Sequence, residues 1–140
     1  MGARHKGREL AIQFLYGRDY VDRDWEKAQG EFIAQAGRGA TASEFAAQLL
    51  TGLGLHQAEV DAALAQFATD RWPVERMGQM DRAILRLGLY ELMVERTTPP
   101  KVVLDEAIDL AKEFCDAEGY RFVNGILDAA MTSFIADPRR

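Results

Sequence analysis

Apolar residues recur at helical spacing along almost the whole chain, and nothing alternates like a strand for long. From about Lys6 to Val21 the pattern places Leu10, Ala11, Phe14, Leu15 and Val21 on one flank of a first helix. A second helix is predicted from Trp25 to Gln35, with Asp22 and Asp24 as candidate caps. "GRGATASE" reads as a loop, and Thr41 with Glu44 forms a capping box that starts a third helix carrying Phe45, Leu49, Leu50 and Leu53. "GLGLH" is expected to break that helix, and Ala58 to Ala68 continues with Val60, Ala63, Leu64 and Phe67. "DRWPVERM" is a connector, since Pro73 limits any helix through it.

The following segment, "QMDRAILRLGLYELMVER", is apolar on nearly every side, which predicts a central, buried helix. Gly88 within it costs about 1 kcal/mol relative to Ala, so close approach of a neighbouring helix is expected there. "TTPPKVVLDEAIDLAKEFC" opens with prolines at a helix start, where a missing N–H costs nothing, and Val103, Ala107, Leu110, Ala111 and Phe114 form its inner face. The last helix runs from roughly Tyr120 to Ile135 and stops before Pro138. It contains Asn124-Gly125, a strong turn signal, yet Val123, Leu127, Ala130 and Phe134 keep helical time around the pair. Helix packing is the better reading for Gly125. For Asn124, capping a neighbouring element and facing a partner are equally good readings. Seven helical segments with short links predict an all-α bundle.

Composition narrows the class. A chain of 140 residues has room for a single compact domain or for two small halves sharing a core. At 48% apolar residues it is ordinary for a globular protein, and no run approaches the roughly 20 apolar residues of a membrane span. "MGARHKGREL" lacks the apolar stretch of a secretory signal, so a cytoplasmic protein without a membrane partner is expected. A single cysteine, Cys115, allows no internal disulfide, and two histidines are too few for a Cys/His zinc site. The net charge of −5 argues against indiscriminate binding to nucleic acid, yet Arg4, His5, Lys6 and Arg8 crowd the first eight residues with no acid among them.

Little in the chain suggests catalysis. Asp105, Asp109 and Glu113 share one helix face and could hold a hard cation, but a solvated outer face is the favoured reading, with Lys112 near Asp109. Cys115 has no histidine in a recognisable catalytic context, and "TGLGLH" lacks the strand that a phosphate loop requires. No enzyme activity, metal or cofactor is expected. The N-terminal cluster is the better lead. Arg82, Lys101 and Arg121 also lie at or near helix starts, each beside an apolar or aromatic residue. With Phe122 at hand, such a surface would suit splayed, single-stranded bases.

The segments "MDRAILRLGLYEL", "PPKVVLDEAIDLAKEF" and "YRFVNGILDAA", in this order and spacing, resemble the NusB family of bacterial transcription antitermination factors. "GREL-AIQFLY" near the start resembles that family's first helix, behind its basic residues. The resemblance spans the whole chain, is strongest from Met80 to Ala130 and is weak between Val21 and Thr41. It implies two three-helix halves around a long shared helix, here approximately 1–72 and 73–140. It also implies pairing with NusE, a small-subunit ribosomal protein, and binding of the boxA element of ribosomal RNA leader transcripts. The setting would be an antitermination complex with RNA polymerase, NusA and NusG. A homodimer in the free state is compatible with the resemblance.

By position, the resemblance assigns RNA contacts to Arg4, His5, Lys6 and Arg8, and places Gln79, Arg82, Lys101, Arg121 and Phe122 near the RNA, with Asn124 beside them. It sets Tyr16, Asp81 and Arg86 near the NusE-like partner. Tyr16 has a plain alternative as a core edge, and Arg86 as a solvated or capping side chain. His5 and Gly7 depart from the family's denser arginine run. The competing readings are a protein–protein scaffold that never touches RNA, and a free-standing relative of the NusB-like domain of RNA methyltransferases.

Overall fold

The structure is a computed structural model that describes residues 2–135. Six α-helices follow one another: α1 (Ala3–Leu15), α2 (Trp25–Ala36), α3 (Ala40–Phe67), α4 (Gln79–Tyr90), α5 (Pro100–Phe114) and α6 (Ala117–Ile135). A 3₁₀ turn at Val74–Arg76 precedes α4, and a π-helical turn at Glu91–Glu95 extends it. There is no strand among the described residues. The predicted stop before Pro138 lies outside them.

The apolar stripes explain the assembly. α1 packs along α3 and α2 leans on α3, while α5 and α6 pair with each other and both lie on α4. α4 also touches α1 and α3, which joins the two groups of three. Its residues from Ala83 to Tyr90 are all buried, as an all-round apolar pattern requires. Truncating one of its leucines, such as Leu85, removes about 2–5 kcal/mol. Around α2 the Phe14 ring meets Trp25 edge-on at 5.1 Å, and Trp25 Nε1 donates to the Leu50 carbonyl at 2.9 Å.

Three expectations need correction. α1 ends at Leu15, and Gly17 at φ +81° turns the chain, so Val21 is exposed in a loop and is not on the helix flank. α3 starts from Gly39, with no side-chain cap; Thr41 and Glu44 are already inside the helix and exposed. α4 instead carries half of such a box, where the Gly78 N–H donates to Asp81 Oδ2 at 2.8 Å and the glycine N-cap has no side chain to return the bond. "GLGLH" does not break α3. The helix kinks at His56 (φ −121°, ψ 18°) and continues, which gives six helices in place of seven. Its glycines answer packing. A Cβ at Gly52 would collide with the Tyr90 hydroxyl, and one at Gly54 would lie 2.7 Å from Trp25 Nε1.

The Asn124-Gly125 pair is likewise helical. Gly125 lies against the indole of Trp72, where a Cβ would come within 2.6 Å of Cε2. Gly88 packs on Leu127 as expected, at 2.9 Å from a Cβ position.

Candidate nucleic-acid interface

A helix turns about 100° per residue, so a basic run at its start cannot all face one way. In α1, Arg4 and Lys6 point outward and are exposed, whereas His5 and Arg8 turn inward and are only 6% and 2% exposed. Arg8 Nε and Nη2 donate to the two oxygens of Glu91 at 2.9 and 2.8 Å, a bidentate buried pair, and Nη2 reaches Thr98 Oγ1 at 3.5 Å. Burial works to lower the Arg8 pKa, and the bond and charge of Glu91 outweigh it, so the guanidinium stays firmly charged. His5 Nδ1 lies 2.7 Å from Glu106 Oε2 on α5. Two of the four expected RNA contacts are thus committed inside the fold. Gly7 is buried too, under Phe45, so a longer side chain there would not reach solvent.

A second pair of expected contacts is also spent internally. Arg82 Nε donates to Asp19 Oδ1 at 3.1 Å and Nη1 to the Met77 carbonyl at 2.7 Å. Arg86 is buried and is neither solvated nor a cap: its Nε donates to Asp61 Oδ1 at 2.8 Å and Nη1 to Asp19 Oδ1 at 3.2 Å. Burial works to raise the Asp19 carboxyl, but the hydrogen bonds from Arg82 and Arg86 hold it below the usual carboxylate range. The two arginines therefore pin the loop after α1 onto α4.

Phe122 is 3% exposed and belongs to the core, so its ring is no free stacking platform. Asp81 is buried as the cap of α4, and so cannot present a carboxylate freely to a partner. Beside it, burial and then a hydrogen bond with Asp81 push the Cys115 thiol up to about 12, which leaves it protonated and unreactive.

Four of the exposed expected residues, Tyr16, Gln79, Arg121 and Asn124, line two neighbouring clefts, whereas Arg4, Lys6 and Lys101 lie outside both. One, of about 520 Å³, is lined by Arg71, Trp72, Arg76, Arg121, Asn124 and Glu118, with Phe122 and Gly125 also in its wall. The Arg71 guanidinium sits over the Trp72 ring at 5.0 Å. The other, of about 320 Å³, includes Tyr16, Gln79, Asp81 and Phe114. Arg76 and Glu118, joined by an ion pair, line both clefts and form the ridge between them. Tyr16 is 53% exposed, half covered and half open to the second cleft, and Tyr20 is 84% exposed. Lys101 is exposed at the start of α5, with Asp105 at 3.6 Å.

Arg71, Trp72 and Arg76 were not expected here. "DRWPVERM" reads as a mere connector, although two arginines around a tryptophan are the one signal that could have marked it.

The family model described as "NusB family" matches residues 5–132. The chain belongs to the NusB family. Among relatives, it is 40% identical over 129 residues to the transcription antitermination protein NusB of Geobacter sulfurreducens, covering 91% of this chain and 93% of that one. It is 39% identical to the NusB of Lysinibacillus sphaericus, over 89% and 93% of the two chains. Among solved structures, one of antitermination factors NusB and NusE in complex with double-stranded RNA superposes with a TM-score of 0.80. The identity there is 26%, over 94% of this chain and 97% of that one. The NusB of T. maritima superposes with a TM-score of 0.78 at 29% identity, over 92% and 90%. Among the described residues, no helix of this NusB-family chain is long and apolar enough to cross a membrane.

Proposed function

We propose that this chain is a transcription antitermination factor that reads RNA jointly with a NusE-type partner and catalyses no reaction. The observation that carries the reading is the pair of adjoining clefts, one rich in exposed arginine and one flanked by exposed tyrosine, sharing the Arg76–Glu118 ridge. Arg71, Arg76, Arg121 and Asn124 suit phosphates and base edges, and Arg71 over Trp72 offers a flat cationic face to an unstacked base. Arg4 and Lys6 add phosphate contacts from the start of α1, Lys101 from α5 and Gln79 from α4. Tyr16 and Tyr20 supply the amphipathic contact area that protein interfaces favour. His5, Arg8, Arg82, Arg86, Asp81 and Phe122 act indirectly, by holding these surfaces in place.

The boxA element of ribosomal RNA leaders is the expected RNA, and a cytoplasmic complex with RNA polymerase, NusA and NusG the expected setting. A scaffold without RNA contact is the second reading, favoured by the net charge of −5 and by the internal use of four basic side chains. Fluorescence anisotropy of a labelled boxA-type RNA separates the two. Tight binding that needs both proteins supports the joint reader. Association of the two proteins with no RNA binding by the mixture leaves the scaffold.

A further inference from the structure

We propose that the start of α1 and the end of α5 form a site for one divalent cation of zinc type, with His5 Nε2 and the carboxylates of Glu9 and Glu113 as its protein ligands. One ligand atom from each of the three lies within 4.8 Å of the other two. A point central to such a triangle is at most about 2.8 Å from each corner, so side-chain shifts well under 1 Å bring it to the roughly 2.0–2.2 Å of zinc–nitrogen and zinc–oxygen bonds. Glu9 follows His5 by one helical turn, and Glu113 arrives from α5.

The histidine is set as a metal ligand would be. It is 6% exposed, and its Nδ1 sits 2.7 Å from Glu106 Oε2, so the Nδ1–H donates to that carboxylate and the ring is fixed. Carboxylates in this outer position hold the tautomer of metal-bound histidines. Nε2 then faces Glu9 Oε1 at 3.1 Å. Charge favours the ion. Among the described residues, Glu9, Glu106 and Glu91 form ion pairs with Arg8 and Arg38, and Arg8 is already paired bidentately with Glu91. Counting Glu113, four carboxylates against two guanidiniums leave an excess of negative charge that a divalent ion neutralises. One imidazole and two carboxylates suit zinc-type ions better than magnesium, which prefers oxygen alone. Three protein ligands leave a position open for water.

Glu113 lies more than 100 residues from His5 and Glu9, so no spacing motif announces the full set. A bound ion would clamp α1 to α5 and so fix the helix that carries Arg4 and Lys6.

The test titrates zinc or cobalt(II) into chelator-treated, full-length protein and follows heat and, for cobalt, the visible ligand-field bands. The expected result is saturable one-to-one binding that Glu113→Gln weakens at least tenfold, while Asp109→Asn, one turn away on the same helix, leaves it unchanged. Glu106→Gln should weaken it by roughly 10–100-fold through the histidine. Glu113 is exposed, so its variant should keep the wild-type circular dichroism and melting temperature in chelator. No saturable binding of either metal, or binding that Glu113→Gln leaves untouched, overturns the proposal and leaves His5 as a structural link between Glu9 and Glu106.

Discussion

At the scale of single residues, the basic side chains divide into those that hold the protein together and those that face outward. Arg8 is the clearest of the first kind. Its bidentate pair with Glu91 ties α1 to the π-helical turn after α4, and both partners are almost wholly buried. Removing the guanidinium strands a buried carboxylate, a change that costs about 3–5 kcal/mol. Arg8→Ala should therefore lower the unfolding free energy by that order in a urea titration. Arg4→Ala and Lys6→Ala should change stability by less than about 0.5 kcal/mol, as exposed positions do. In RNA binding the order should reverse, because of these three side chains only Arg4 and Lys6 are exposed to a phosphate. An Arg8→Ala protein that stays as stable as wild type would return Arg8 to the surface. The sequence could not make this division. In "RHKGREL" every charge looks equally available, and only the position of Glu91 and Glu106 on other helices decides which side chains turn in.

Elements were more legible than residues, and their ends less so than their bodies. The 3.6-residue period marked all the helices because each buries one stripe, and α4 was recognisable as central because it buries every side. The ends failed for a physical reason. Gly52 and Gly54 look like a helix stop when only local propensity is considered, but Tyr90 and Trp25 fill the space their missing side chains leave. The same holds for Gly125 under Trp72. The loop after α1 shows the converse: Asp19 has no local pattern, yet it anchors the loop by accepting from Arg82 and Arg86. Its folded pKa lies below the ordinary 3.8, so its contribution to stability is present above that value. It is lost as pH falls through the lowered folded pKa. Asp19→Asn should accordingly destabilise the protein at pH 7, with the gap to wild type closing as the solution is acidified below the ordinary carboxylate pKa. Urea midpoints of both proteins at neutral and acid pH measure this, and a gap that is independent of pH would mean the anchor is not electrostatic.

At the scale of the whole molecule, an acidic protein can bind RNA only through a locally basic face, and the number of its free cations bounds how strongly. The net charge of −5 is a poor guide to any one face, and Arg8, Arg82 and Arg86 are already paired with carboxylates within the fold. What remains near the clefts and the start of α1 is Arg4, Lys6, Arg71 and Arg121, with Arg76 already paired to Glu118. Each single-strand phosphate neutralised contributes roughly 0.7 to the slope of log affinity against log salt, so four contacts give a slope near −3 for the chain's own share. Replacing Arg71 and Arg121 together with Ala should make that slope shallower by about 1.4. If the same double variant leaves association with the NusE-type partner unchanged, the two clefts divide the labour as proposed. A slope that stays at the wild-type value would mean that RNA follows another face, and a loss of partner binding would mean that the arginine cleft is itself the protein interface. The distinction matters because any phosphate contacts made by the partner would raise affinity and steepen the slope of the complex. Only the difference between variant and wild type, measured with the partner present in both, isolates what this chain's cleft adds.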